Sequence, residues 1–230
     1  MLHLENLRLS FPDFTLTANW SVAPSGIVAV IGSSGAGKST LLMTIAGFLS
    51  PTSGKVLWQG QDLGPLPPAE RPVSILFQDQ NLFPHLTVAQ NLGLALTAGK
   101  RLDAAQTARV AKVIDRLGLT GMGGRRPADL SGGQQGRAAL GRMLLQDRPI
   151  VLLDEPFAAL GPALKTDLLQ LVRELAAETG SLVLLVTHDP RDAQRFAERT
   201  VLVADGIALP PTPTADLFAD PPAALRDYVG

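Results

Sequence analysis

Residues 27–31 read Ile-Val-Ala-Val-Ile, apolar without a break, and Gly32-Ser33-Ser34-Gly35-Ala36-Gly37-Lys38-Ser39 follows directly. Such an apolar run fits a strand covered on both faces, as in a parallel sheet. The segment after it matches the pattern G-x-x-x-x-G-K-[ST]. Glycines there let the backbone wrap closely around phosphate groups with its N–H groups turned inward. A helix opening at Lys38 adds its positive N-terminal end. Lys38 then reaches the β- and γ-phosphates, and the Ser39 hydroxyl ligates Mg²⁺. A chance match is expected on the order of once in a hundred chains of this length. The strand before it and the helix after it lower that further.

The rest of the chain repeats the same grammar. Leu2, Leu4, Leu7 and Leu9 roughly alternate, Phe14, Leu16, Ala18, Trp20 and Val22 alternate strictly, and Pro12-Asp13 between them marks a turn. A helix is expected over 38–49, a short strand over 55–59 within a Pro- and Gly-rich stretch, and another strand over 73–77. Residues 87–146 change to a helical period. In that stretch Asp103 with Gln106 has the spacing of a capping box, and Gly118 is a natural stop. Residues 150–153 and 182–186 are fully apolar strands, joined by an amphipathic helix carrying Leu164, Leu168, Leu171 and Leu175 between Pro162 and Gly180. Residues 201–209 read as a hairpin about Asp205-Gly206. Buried strands alternating with helices predict an α/β fold with a parallel-sheet core. The N-terminal strands form an antiparallel β subdomain, and a helical lobe is inserted at about 79–147.

Composition narrows the class. With 20 Lys plus Arg against 21 Asp plus Glu, the chain carries a net charge of −1, which argues against nucleic-acid binding. Hydrophobic residues make up 46%, which argues against disorder, and with no Cys there is no disulfide framework or thiolate site. The N-terminus lacks the layout of a signal peptide, and no stretch has the ~18 uninterrupted apolar residues of a membrane span, so the chain is expected to be soluble by itself.

Two further segments carry chemistry. Ile150-Val151-Leu152-Leu153-Asp154-Glu155-Pro156 delivers two carboxylates at the C-terminal end of an apolar strand, where α/β sheets bind ligands. Asp154 suits a Mg²⁺ ligand and Glu155 a group that polarises an attacking water. Leu130-Ser131-Gly132-Gly133-Gln134 suits a second phosphate cradle, with Ser131 as N-cap and two glycines exposing backbone N–H groups at a helix start.

Taken in this order, the phosphate loop, LSGGQ and LLDEP resemble the ATP-binding cassette (ABC) ATPases, and the resemblance covers essentially the whole chain. It implies a P-loop NTPase of the ABC type, one domain over 1–230, with a RecA-like core at about 1–78 and 148–230. It implies ATP and Mg²⁺ as ligands, with Gly32 through Ser39 and Thr40 around the phosphates. Ser131, Gly132, Gly133 and Gln134 would face the ATP of a partner subunit. Catalysis falls to Glu155, His188 and Gln78, and metal binding to Ser39, Gln78 and Asp154. The aromatic platform for adenine falls to Phe11 or Phe14, Phe11 being favoured by its distance from the phosphate loop.

The implied partners are a second copy in a head-to-tail dimer with two ATP at its interface, integral membrane permease subunits and a periplasmic substrate-binding protein. No nucleic acid is implied. The implied location is peripheral, on the cytoplasmic face of the bacterial inner membrane. The apolar loop Asn81-Leu82-Phe83-Pro84 is a docking candidate for the permease or else part of the lobe's core.

The chain is expected to lack the C-terminal β-domain that many sugar, polyamine and sulfate importer ATPases carry. Segments 71–83 and 85–91, with Ile45-Ala46-Gly47-Phe48-Leu49, are similar to the ATP-binding subunits of bacterial thiamine importers. Importers of iron and molybdate share much of the pattern, so the alternatives are an importer of another small solute (iron, molybdate, polyamine) or, from another class, a non-transport ABC ATPase. Two departures stand out. Gly161 occupies the place of the usual D-loop Asp, and Gln135-Gly136-Arg137 replaces a more usual Arg-Gln-Arg. Gly136 and Gly141, inside a helix, should each cost about 1 kcal/mol relative to Ala.

Overall fold

The computed structural model describes residues 1–78, 82–97 and 101–229, the side chains of 227–229 excepted. Chain contacts divide it into two units, Met1–Val73 with Pro149–Glu155 and Ala176–Gly230, and Ser74–Arg148 with Pro156–Leu175. The helical unit therefore takes in 74–78 and Pro156–Leu175, beyond the expected insertion.

The first unit opens with β1 (Leu2–Phe11), β2 (Phe14–Val22) and β3 (Gly26–Ile31). Helix α1 (Lys38–Ala46) follows, then β4 (Ser53–Trp58), β5 (Gln61–Asp62) and β6 (Val73–Leu76), which crosses into the second unit. The second unit holds α2 (Val88–Gly93), α3 (Ala104–Arg116) and α4 (Gly132–Gln146). The chain then runs through β7 (Ile150–Asp154), α5 (Pro162–Thr179), β8 (Leu182–Val186), α6 (Pro190–Phe196), β9 (Arg199–Ala204), β10 (Ile207–Ala208), β11 (Thr212–Pro213), α7 (Thr214–Ala219) and α8 (Ala223–Val229).

Strands of the first unit lie in the order β5-β4-β1-β2-β10-β9-β3-β8-β7. β9, β3, β8 and β7 are mutually parallel, and β1, β2, β4 and β5 are antiparallel. β10 joins the two regimes, because it pairs antiparallel to β9 and parallel to β2. Its hairpin with β9 turns at Asp205-Gly206, both at positive φ, as a tight two-residue turn demands.

The rough alternation in β1 has a physical cause. Leu2 and Leu4 are one step out of phase with Leu7 and Leu9, yet all four are buried. A bulge absorbs the extra residue. The register shifts between Leu4 and Leu7 against β2 and between Glu5 and Arg8 against β4, with Asn6 at φ 45°. Helix α1 stops three residues short of the expected Leu49. Gly47, at φ 90°, closes it with its N–H on Thr44 O and the Phe48 N–H on Met43 O.

Three helices of the second unit begin with capping boxes, Thr87 with Gln90, Asp103 with Gln106 and Ser131 with Gln134. Val88, Leu92, Val110, Ile114, Leu117, Leu119, Leu130, Ala138 and Leu145 form its core. The glycines inside α4 are explained by close approach. A Cβ on Gly136 would lie 2.6 Å from Leu168 Cδ1 and 3.4 Å from Phe157 Cε1, and both neighbours are buried. On Gly141 it would meet Leu117, Leu92 and Val113 between 2.7 and 3.2 Å. Packing thus outweighs helix propensity at both sites.

Gly136→Ala and Gly141→Ala are expected to lower stability in chemical or thermal unfolding. The propensity gain of about 1 kcal/mol is offset by overpacking of roughly 1–3 kcal/mol.

Candidate active site

Parallel pairing brings three chain crossings to one sheet edge. Asp154 lies level with Val186, and Val186 level with Val30. The ladder runs past the strand ends, with Glu155 N–H on Val186 O at 3.2 Å and Thr187 N–H on Val30 O at 3.3 Å. The phosphate loop after β3, the carboxylates closing β7 and the Thr187-His188 turn after β8 therefore emerge side by side.

Within the loop, Gly32 has φ 149° and a Cβ there would lie 2.2 Å from Val203 O, so no other residue fits. Gly37, at φ 103°, is the N-cap of α1 and accepts the Leu41 N–H at 2.9 Å. A Cβ on it would lie 2.5 Å from Phe14 Cζ. No side chain caps α1, in contrast to the three boxed helices, so its first N–H donors are left to an external acceptor. Ser33, Ser34 and Gly35 are exposed, while Ala36 and Thr40 are half-buried.

Lys38 is buried, and its ammonium donates to Gly32 O and Ser33 O, each at 2.9 Å. Burial lowers its pKa, against the raising effects of Glu155 and Asp154. Ser39 Oγ donates to Asp154 Oδ1 at 3.0 Å. Burial raises the Asp154 carboxyl. The Ser39 hydrogen bond lowers it, Glu155 raises it further, and Lys38 lowers it. Glu155 leaves the strand at φ 47°, an uncommon conformation for a residue with a Cβ. This turns its carboxylate to His188, whose Nδ1 lies 3.1 Å from Glu155 Oε2.

Among the described residues no group of three or more His, Asp or Glu side chains forms a metal cage. The Ser39–Asp154 oxygen pair fits Mg²⁺, which is usually held by one or two carboxylates together with phosphate oxygens and water.

Phe11 is exposed at 43% and its ring stacks on Phe14, with centroids 6.2 Å apart. Phe14 is half-buried against Gly37, so Phe11 keeps a face toward solvent.

The second unit holds the remaining candidates. Ser131 Oγ accepts the Gln134 N–H and Gln134 Oε1 accepts the Ser131 N–H, so α4 begins at Gly132 as expected. Gln78 is exposed just beyond β6. Gly161 has open space around the position of a Cβ, and its carbonyl accepts the Lys165 N–H at 3.0 Å. Of the docking candidate, Asn81 lies outside the described residues. Leu82 packs on the core of its unit and Phe83 is exposed.

Three contributors escaped sequence reasoning. Arg71 is buried, with Nη1 on Thr44 O and Ile45 O and Nε on Leu66 O, so it clamps the C-terminal end of α1. Asn91, also buried, ties the loop before α2 through Phe83 N–H and the carbonyls of Phe83, Leu86 and Thr87. Gln135 Nε2 donates to Pro127 O and Leu130 O behind LSGGQ. Each is one polar residue whose partners are backbone groups, which leaves no side-chain pattern to find.

Residues 16–158 match the family described as ABC transporter. The chain is 64% identical, over all 230 residues and the full length of both, to the thiamine import ATP-binding protein ThiQ of Cereibacter sphaeroides. It is 53% identical over the same coverage to that of Ruegeria sp.. Among solved structures it is similar to a dimeric ATP-binding cassette in a post-hydrolysis state bound to ADP and Pi. That likeness has a TM-score of 0.78 and 30% identity, covering 93% of this chain and 99% of the other.

The raised Asp154 pKa has a sign for stability. The folded chain keeps that proton to higher pH than the unfolded chain, so stability falls as pH rises between the two values. Asp154→Asn should therefore melt above the parent at neutral pH. A series of melts should show the gain vanishing below the ordinary carboxylate range of about 3.9.

Proposed function

This chain belongs to the ABC transporter family, and from that premise we propose that it is the ATP-hydrolysing subunit of a thiamine importer. It acts as a head-to-tail pair on a separate membrane permease, and the whole chain works as one cassette. Full-length identity to proteins named for thiamine import supports the substrate. Among the described residues no helix is long and apolar enough to cross a membrane, which accords with a permease supplied by other chains. We place the complex at the cytoplasmic face of the inner membrane, with a periplasmic binding protein delivering the solute.

The observation that carries the chemistry is the convergence at one sheet edge of the phosphate loop, the Ser39–Asp154 pair and the Glu155–His188 pair. Loop N–H groups and Lys38 bind and orient the β- and γ-phosphates. Bound Mg²⁺ would supply charge neutralisation on the phosphates, and Ser39 and Asp154 would hold it. Glu155 accepts a proton from the water that attacks the γ-phosphorus, and ADP leaves with the electron pair of the broken bond. His188 fixes the Glu155 carboxylate and reaches toward the γ-phosphate. Phe11 stacks on adenine, which its exposed face supports. Ser131 spends its oxygen on the cap, which leaves its O–H for the phosphate of the partner's ATP. Gln78 couples the site to the permease, on the resemblance alone, and Phe83 is the side chain offered to it.

Glu155→Gln should retain ATP affinity while losing roughly 10²–10⁴-fold in hydrolysis. Vesicles carrying the assembled complex should take up labelled thiamine with ATP, and should not with this variant. Wild-type hydrolysis by the variant would refute the catalytic assignment. Uptake of iron without thiamine would refute the substrate.

A further inference from the structure

We propose that Asp192 is a positioning residue that sets the place of His188 through the hydroxyl of Thr187. The proposal rests on the catalytic reading of the Glu155–His188 pair given above. The imidazole is 57% exposed, so side-chain packing does little to hold it 3.1 Å from Glu155. The backbone on either side sets where the ring sits. Thr187, on one side, is buried at 4% and anchored by its N–H on Val30 O. Asp189, on the other, caps α6 with Oδ1 on the Arg191 N–H at 3.0 Å.

One hydroxyl joins the two sides. Thr187 Oγ1 donates to Asp192 Oδ2 at 2.5 Å and accepts the Asp189 N–H at 3.1 Å, bridging across His188. An ionised carboxylate only accepts hydrogen bonds. Asp192 therefore fixes which way the Thr187 proton points and turns the oxygen lone pairs to Asp189. Asp192 is itself buried at 8%, and its own N–H donates to Asp189 O at 3.0 Å, which closes the turn. Charge-assisted hydrogen bonds of this kind are short and stiff. A turn held this way fixes the backbone that carries the histidine ring. Loss of the carboxylate frees the hydroxyl rotor and with it the turn.

The test is a kinetic double-mutant cycle on the purified protein, with fluorescent-nucleotide binding alongside. Asp192→Ala should lower kcat by roughly 10- to 100-fold, the scale of a misplaced catalytic group, with ATP affinity changed less than about twofold. Thr187→Val should do the same, and Thr187→Ser should keep activity. These two decide the matter if Asp192→Ala fails to fold. In a His188→Ala background, Asp192→Ala should cost nothing further, because its effect passes through that ring. Parental kcat in Asp192→Ala, or losses that multiply in the double variant, would overturn the proposal while leaving the reading of His188 intact. Unchanged kcat in His188→Ala alone would overturn that reading and this inference with it.

Discussion

In the ladder that joins β7 to β8 and β8 to β3, Asp154 is level with Val186 and Val186 with Val30. A slip of one residue would turn the side chain of Asp154 to the opposite face of the sheet and away from Ser39. The two N–H bonds past the strand ends, Glu155 to Val186 and Thr187 to Val30, hold the ends in step. Glu155 then departs at φ 47°, a local strain of order 1–3 kcal/mol at the residue proposed to move the proton. The surrounding ladder over-determines that conformation, so the strain persists.

The phosphate-loop helix shows how stability is arranged around such a site. Its N-terminal end carries no side-chain cap and no acidic residue. Its C-terminal end is held by Gly47 and by the buried Arg71, a cation placed where the helix dipole favours one. Gly47 also makes room for that clamp, since a Cβ there would lie 2.5 Å from Arg71 Nε. Stabilising contacts are thus concentrated away from the uncapped N-terminal end. Lys38 and Asp154 are held with their pKa values pushed toward neutrality by burial, so their charges are a cost to the folded state.

Much of this was legible in the chain. The apolar run 27–31, the hairpin at Asp205-Gly206, the capping box at Asp103 and the helix between Pro162 and Gly180 all declare themselves through local rules. Less legible were features whose cause lies far away in sequence. The bulge at Asn6 appears in the chain only as a phase error among leucines. Gly136 and Gly141 read as defects of a helix until Leu168, Phe157 and Leu117 are seen against them.

The sequence by itself determined the element types, the phosphate loop and the order of its partner segments. These depend on periodicity, glycine freedom and capping, which act within a few residues. Tertiary structure alone decided that Asp154 meets Ser39 and that Glu155 meets His188. Both pairs are set by strand register, a non-local hydrogen-bond pattern. Uniformly apolar strands leave no side-chain alternation from which to read it.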